Sequence, residues 1–481
     1  MGESSLKEKT AKGLFWGGLS NFFQQIVGAI FGIAIARILS PGDYGLIGML
    51  AIFIAISNTI MESGFTAALI NKKEIKHEDY NAVFWFGALA GIVIYVLLFF
   101  SAPLIARFYD KPILIPLSRL LFLSILIASL GFAHNAILIK KLMVKERAKI
   151  DVTAVTISGA AGLLLALSGF AYWGLAVQAI LMSAISISLR WYLAPWKPTF
   201  RHIDFKPLKS MLGFSSKLFL TSIFMQINSN IFSVLLGRFY GEKQVGYYAQ
   251  GFKWMQLGSA VISGMVSSVA QPVFVVVNDD KERQRQVFRK MIRFGAFVSF
   301  PLMLGLAFIG REFILITVGK EWIESIPFLQ IFCIYGAFSF IHTLYYILLT
   351  SFGKSSIIMW YTISISLLII AIALFMINFG IFQMAIAYVF VSILGFFGWH
   401  IFARKLIDLQ LTQVFKDILP YFIITVGCFF IAWAATLNIQ NIYFLCASKV
   451  AISAIFYVLI MKYSRSTIFK ESIKFFLNRI K

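Results

Sequence analysis

Lys217, Thr221 and Asn228 fall on one face of a helix-length apolar stretch, with Gln226 and Asn230 on another, and the next such stretch carries Lys253 and Gln256. Arg119 and His134 lie within an earlier apolar stretch, and Asn58 and Glu62 sit one helical turn apart in an earlier one still. The first apolar segment adds Asn21 and Gln25, at helical spacing with Gly28 and Gly32. Lysine and arginine bind phosphate oxygens and side-chain amides both donate and accept, so the set suits an anionic, hydrogen-bonding ligand. A charge near a bilayer centre costs at least ~2.5 kcal/mol, which turns such groups toward a cavity or a partner. Blander readings stay open: Lys217 and Lys253 could snorkel to headgroups from near the ends of their stretches. Gly28, Gly32, Gly48, Ala51 and Ala55 read equally well as a packing face of small residues. Lys449, His342 and His400 read as packing or interface residues.

Signatures of bond-breaking chemistry are missing from the sequence. It holds no GxxxxGK[ST] loop, no HExxH, no carboxylate pair on an external loop and no large extramembranous segment in which a nucleotide could bind. Cys333, Cys428 and Cys446 are an odd number inside apolar stretches, without the paired spacing of a disulfide or a metal site, and read as small packing residues. No catalytic residue, metal or cofactor is expected. Movement of a ligand would draw on an ion gradient or on the membrane potential, worth ~2.3 kcal/mol per charge per 100 mV to an anion leaving an inside-negative cell.

The elements that must position these residues are about fourteen apolar spans, most of them long enough to cross a bilayer core of ~30 Å. They run over Gly13 to Ile38, Tyr44 to Ile70, Tyr80 to Phe108, Ile113 to Ile139, Ile150 to Phe170, Tyr172 to Leu193 and Leu212 to Leu236. Then follow Gly246 to Val277, Val287 to Val318, Ile326 to Thr350, Ser356 to Phe379, Ile381 to Ala403, Ile418 to Thr436 and Ile442 to Met461. The chain is therefore expected to be an all-α polytopic membrane protein. Nine of its ten tryptophans lie near span ends, where amphipathic rings favour the headgroup level; Trp254 alone lies well inside a span.

The formal charge of +22 follows from topology, because most of the 43 Lys and Arg fall in alternate gaps, on the side of the N-terminus. One such gap holds Lys140, Lys141, Lys145, Arg147 and Lys149; another holds Lys281, Arg283, Arg285, Arg289, Lys290 and Arg293. Both termini are thus expected in the cytoplasm. Nucleic acid is not an expected partner, since every charge block is a short juxtamembrane loop. The first span is too long for a cleaved signal peptide, is followed by Arg37 and lacks a small-residue cleavage site.

A charged, proline-bearing linker, 194–209 (APWKPTFRHIDFKPLK), separates an N-terminal lobe, 1–193, from a C-terminal lobe, 210–405. Residues 406–463 supply two further spans and 464–481 a basic amphipathic tail. Sliding the chain by 201 residues pairs Arg37 with Arg238, Gly45 with Gly246 and Gln25 with Gln226, as an internal duplication of two parallel six-span halves would. In the tail, Phe469, Ile473, Phe476 and Ile480 form a helical stripe away from Lys470, Lys474, Arg479 and Lys481. That is the pattern of an interfacial helix on an anionic leaflet, with a frayed basic tail as the alternative.

Two segments carry a family resemblance: ARILSPGDYGLIGM from Ala36 to Met49, and ESGFTAALINKKEIKHEDYNAVFWF from Glu62 to Phe86. They resemble the Wzx-type flippases, the polysaccharide-transport branch of the MOP exporter superfamily, in particular its colanic-acid and teichuronic-acid exporter group. The likeness covers Lys12 to Pro103 most strongly and continues collinearly through FYGEKQVGYYAQG, Phe239 to Gly251. It implies two six-helix pseudo-symmetric lobes around a cavity, two further helices, and alternating access that carries an undecaprenyl-diphosphate-linked oligosaccharide from the inner to the outer leaflet of a bacterial cytoplasmic membrane. Lys217, Lys253 and Arg119 then become candidates for holding the diphosphate, with Gln25, Gln226, Asn228 and Gln256 as amide neighbours. Glu62, with Asn58 beside it, becomes a candidate for ion coupling or for a bond near the cytoplasmic gate. The implied partners are the lipid-linked substrate, membrane lipids, and a polysaccharide polymerase with its chain-length machinery. A cation-coupled small-molecule or multidrug antiporter of the same superfamily is the alternative. An intramembrane glycan polymerase or ligase is a further one, although the longest external gap, around Arg311 to Glu324, is short for such an enzyme.

Overall fold

The computed structural model describes residues 23–464 and 468–471, except 63–64, 67–68, 70–71, 73, 201–202 and 277–279; the side chains of 209–218, 269, 271–272 and 275–276 are not described either. Asn21 and most of the tail stripe therefore lie outside the described residues, as does the side chain of Lys217. Every regular element among the described residues is helical, which at membrane depth is the way an open chain satisfies its own N–H and C=O groups.

In order these are α1 (Phe23–Ala36), α2 (Pro41–Glu62), α3 (His77–Tyr109), α4 (Leu114–Leu121), α5 (Leu123–Ser129), α6 (Phe132–Lys140), α7 (Val144–Leu167), α8 (Ala171–Leu193) and α9 (Lys206–Phe239). The chain continues through α10 (Glu242–Val276), α11 (Lys281–Phe308), α12 (Gly310–Thr317), α13 (Ser325–Ser351), α14 (Ser355–Phe375), α15 (Ile381–Ile407), α16 (Leu411–Ala435) and α17 (Ile442–Tyr463). Eleven described helices are long and apolar enough to cross a membrane, twelve if a bent pair counts as one span, so the expected fourteen are not reached among the described residues. The shortfall follows from which residues are described: only a short part of the first span, α1, is, and the apolar second half of α10 is interrupted at 269, 271–272 and 275–276. The fourth span is bent by 44° where Leu114–Ser129 meets Phe132–Lys140.

Local sequence sets the helix starts. At α2, Ser40 and Asp43 form a reciprocal cap: the Ser40 N–H donates to Asp43 Oδ2 at 2.9 Å and the Asp43 N–H to Ser40 Oγ at 3.3 Å. Pro41 occupies the first turn, where its missing N–H costs nothing. At α11, Asp280 Oδ1 accepts the Arg283 N–H at 3.0 Å, and at α17 Asn441 Oδ1 accepts those of Tyr443 and Phe444.

The chain forms two compact units, Met1–Gly246 and Tyr247–Lys481. In the first, α7 packs along α8, α2 lies against α9 and α3, and α3 also carries α4 and α5. The contact between α2 and the start of α10 is unusually close and reciprocal. A Cβ built on Gly45 would lie 1.8 Å from the Glu242 carbonyl oxygen, and one built on Gly246 would lie 1.8 Å from that of Pro41. These are the positions that the 201-residue superposition pairs, Gly45 with Gly246 and Pro41 with Glu242. Around them the Lys111 Nζ pairs with Glu242 Oε2 at 2.8 Å, Tyr109 Oη donates to the Met49 carbonyl at 3.1 Å, and Arg238 Nη1 donates to the Phe108 carbonyl at 2.7 Å.

At the other end of α3 the first part of the linker is fastened down. The Thr199 N–H donates to the buried Asn81 Oδ1 at 2.9 Å and the Thr199 carbonyl accepts Trp85 Nε1 at 2.9 Å. Trp196 Nε1 donates to His77 Nδ1 at 3.0 Å, and its ring joins Phe84 and His134 in an aromatic cluster.

In the second unit α13 is the central helix, with over half of its span buried, and it packs on α11 and α15; α16 lies against α11 and α17, and α14 against α15. Its core is aromatic, built on Phe288, Phe300, Phe340 and Tyr345. Asp417 on α16 is buried and takes a two-pronged bond from Arg289 on α11, Nε at 2.7 Å and Nη2 at 3.1 Å, with Arg293 Nε at 3.6 Å. The described part of the tail docks on protein: Ile468 and Phe469 are buried, Phe469 faces Phe297 at 6.2 Å, and Glu471 pairs with Lys290 at 2.7 Å.

Candidate functional site

The candidate residues divide between the two units. In the first, Gln25 lies half-buried on α1, and Asn58 and Glu62 occupy successive turns at the end of α2. The Asn58 Oδ1 is buried without a hydrogen-bond partner; Glu62 is exposed and lies beside Thr66. On α9, the Gln226 carbonyl accepts Asn230 Nδ2 at 2.9 Å, so Asn230 is used within the helix, whereas Asn228 Oδ1 is buried without a partner.

Asn58 and Asn228 stand equally far along their helices from one contact between α2 and α9. The helices α2 and α9 pack on each other and meet where Met49 Cγ would stand 2.9 Å from a Cβ on Gly237. Asn58 is nine residues beyond Met49 and Asn228 nine before Gly237. At 1.5 Å per residue each lies about 13 Å along its helix from that contact. Each presents an unsatisfied carbonyl oxygen, and an unsatisfied buried acceptor costs ~1–3 kcal/mol until a donor reaches it.

Arg119 on α4 is half-buried and folded onto α3. Its Nε donates to the Phe99 carbonyl at 3.3 Å and its guanidinium lies 4.3 Å from the Phe99 ring centroid. In the second unit Lys253 is half-buried on α10 with its Nζ 5.6 Å from the Trp254 ring, and Gln256 on the next turn is exposed. Among the described residues neither Arg119 nor Lys253 has a carboxylate in ion-pair range, in contrast to the paired cations at Arg289 and Lys449. A positive charge in a low-dielectric setting without a counter-charge is attracted to any anion that can approach it.

Two sets of residues escaped the sequence reasoning. Gln250, one turn before Trp254 on α10, is 1% exposed with both amide atoms unpartnered, and Trp254 Nε1 is buried and unpartnered as well. Their spacing of four inside FYGEKQVGYYAQG and the residues after it was the available signal. Lys449 on α17, read as a packing residue, pairs with Glu312 on α12 at 2.8 Å, with side chains only 12% and 6% exposed. Glu312 Oε2 is left without a partner, and the Lys449 ammonium lies 4.9 Å from the Phe308 ring centroid. No periodicity links residues so far apart in the chain. His134 stacks on Trp191 at 4.9 Å within the cluster beneath the linker, and His342 lies edge-on to Trp399 at 5.4 Å. Among the described residues no group of His, Cys, Asp and Glu is arranged to hold a metal.

A family model described as polysaccharide biosynthesis protein matches residues 34–327. The lipopolysaccharide biosynthesis protein WzxC of Escherichia coli (strain K12) is 27% identical over 337 residues, covering 69% of this chain and 68% of its own. The teichuronic acid biosynthesis protein TuaB of Bacillus subtilis (strain 168) is 26% identical over 401 residues, 82% of each chain. Among solved structures, the lipid II flippase MurJ in an inward closed conformation matches 94% of this chain and 99% of its own, at a TM-score of 0.73 and 15% identity. A multidrug resistance MATE family transporter of the MOP superfamily, in its inward-facing conformation, matches 82% and 99%, at a TM-score of 0.62 and 14% identity. At these identities the two structural likenesses speak for fold.

Proposed function

We propose that this chain, which belongs to the polysaccharide biosynthesis protein family, is a flippase that carries an undecaprenyl-diphosphate-linked oligosaccharide from the inner to the outer leaflet of a bacterial cytoplasmic membrane by alternating access. The relatives support the class of cargo: lipopolysaccharide, teichuronic acid and succinoglycan all appear in their names, the last of them as a transport protein of Rhizobium meliloti (strain 1021). The chain is a multi-pass membrane protein. Both termini lie in the cytoplasm in this reading, and residues 1–193 and 210–405 act as the two lobes joined by 194–209, with 406–463 as the added pair of spans. A polymerase with its chain-length machinery takes the product onward.

The observation that carries the reading is that Lys253 and Arg119, one in each unit, have no carboxylate in ion-pair range among the described residues and face aromatic rings instead. A diphosphate supplies the missing negative charge, and sugar hydroxyls supply donors to Asn58 and Asn228. Lys217, Gln25, Gln226 and Gln256 are further contacts for the cargo in this reading, and Glu62 with Asn58 couples the cycle to an ion or ties the gate. The driving force is an ion gradient or the membrane potential. Reconstitution into vesicles with lipid-linked oligosaccharides of different structure, scored for leaflet exchange, tests this. Exchange in the presence of the protein is expected, and a rate equal to that of protein-free vesicles for every oligosaccharide refutes it.

A further inference from the structure

Two clefts follow one another along α15 in the second unit. The first, about 640 Å³, lies between α14 and α15 and is lined by Tyr361, Leu368, Phe390, Leu394 and other apolar side chains. The second, about 720 Å³, begins one turn further along α15 at Phe397 and is lined by His400, Arg404 and Lys405, with Asp408 as its one carboxylate and the start of α16 as its far wall. One is a trough for hydrocarbon. The other is a basic pocket at the end of α15 that the distribution of Lys and Arg assigns to the cytoplasm.

His400 marks the second cleft as a site. It is 5% exposed, its Nδ1 lies 3.0 Å from Tyr345 Oη, and its Nε2 has no partner. In the tautomer in which Tyr345 donates to Nδ1, Nε2 carries the ring proton and is an unused donor. Arg404 and Lys405 are exposed, and neither makes an ion pair among the described residues. Three donors, two of them cationic, thus line one pocket whose neighbour along the helix is apolar. We infer that α14, α15 and the start of α16 form a binding site for an anionic membrane phospholipid, its phosphate on Arg404, Lys405 and His400 and an acyl chain in the trough beside Phe390 and Leu394. Basic pockets between membrane helices recognise anionic headgroups in this way. The site does not depend on the proposed cargo, and it lies on helices other than those that bear Lys253, Arg119 and the orphan asparagines.

The test uses the full chain in bilayer nanodiscs of phosphatidylcholine with phosphatidylglycerol, followed by gentle extraction and mass measurement of the retained lipid. At about five-fold per juxtamembrane cation, the parent should retain phosphatidylglycerol over phosphatidylcholine by about 30-fold. Arg404→Gln/Lys405→Gln should lose that preference while melting in pure phosphatidylcholine as the parent does, since both side chains are exposed. Ala387→Phe, which fills the trough and leaves the cations in place, should lower retention of both lipids. Equal retention of the two lipids by the parent, or an unchanged preference in the double variant, overturns the inference. So does stronger retention of a polyprenyl diphosphate than of phosphatidylglycerol, which would assign the pocket to the cargo.

Discussion

Substituting alanine at Gly45 and at Gly246, singly and together, tests the contact between α2 and α10 with a result that ordinary packing would not give. Each added Cβ meets an opposing carbonyl oxygen at 1.8 Å, whereas ordinary contact begins at 3.4 Å. The helices must therefore part by at least about 1.6 Å at this point. With a Cβ so placed, each glycine Cα already lies within about 3.3 Å of the same oxygen, in the range of a Cα–H···O contact worth ~0.5–1 kcal/mol, and parting the helices loses both such contacts. Adding the usual cost of overpacking, ~1–3 kcal/mol, sets each single variant at about 2–5 kcal/mol. Because one separation relieves both clashes, the second alanine should add little. The double variant should cost about as much as either single one, with a coupling of about 2 kcal/mol or more. Thermal unfolding of the purified protein in detergent, compared across the parent and three variants, measures this. Losses that simply add would refute the reciprocal geometry.

Further outcomes follow from the charged pairs. Lys449→Met leaves Glu312 buried and unpaired and should destabilise by about 3–5 kcal/mol, whereas Lys449→Met/Glu312→Leu should recover most of that loss; a double variant as unstable as the single one would contradict the buried pair. Lys253→Gln should abolish glycan export with normal amounts of protein in the membrane, and undiminished export would remove Lys253 from the site. The Glu242 carboxyl, which precedes the spanning part of α10, is pushed up by burial but held lower on balance by its bond to Lys111, its own backbone N–H and the Lys111 and Lys243 charges. Its contribution to stability is therefore present above the unfolded value of ~4.3 and is lost as pH falls through the lowered folded value. Glu242→Gln should flatten that acid limb in melting temperature, and an identical limb in the variant would exclude Glu242 as its source.

Much of the fold was legible because membrane depth leaves few choices: most expected spans overlap a helix, though their ends miss by up to eight residues and Val287 to Val318 is broken at Ile309, and Ser40, Pro41 and Asp43 announce the start of α2 in the sequence. Hydropathy cannot see a bend, so the fourth span reads as one rod although it turns by 44° after Ser129. Periodicity likewise identifies an apolar stripe without saying what covers it. Phe469 belongs to a stripe that reads as a face for an anionic leaflet or as a frayed tail, and it meets Phe297 of the same chain. The polar candidates were found by composition alone, since any Lys or Asn in an apolar stretch stands out. Their partners were not: Glu312 does not stand out in the sequence and Lys449 reads as a packing or interface residue until the fold brings them to 2.8 Å. The superposition paired Gly45 with Gly246, but the crossing of each with the other half's carbonyl needs three dimensions.

The clamp on Thr199 ties the chain that leads into α9 to the first turns of α3. With Thr199 pinned to Asn81 and Trp85, only residues 200–205 remain before α9 begins at Lys206. Fully stretched, the seven steps from Thr199 to Lys206 span about 23–25 Å. The first residue of α9 therefore stands within that distance of a threonine bonded to α3, so the start of one helix is indexed to the start of the other through a single backbone amide.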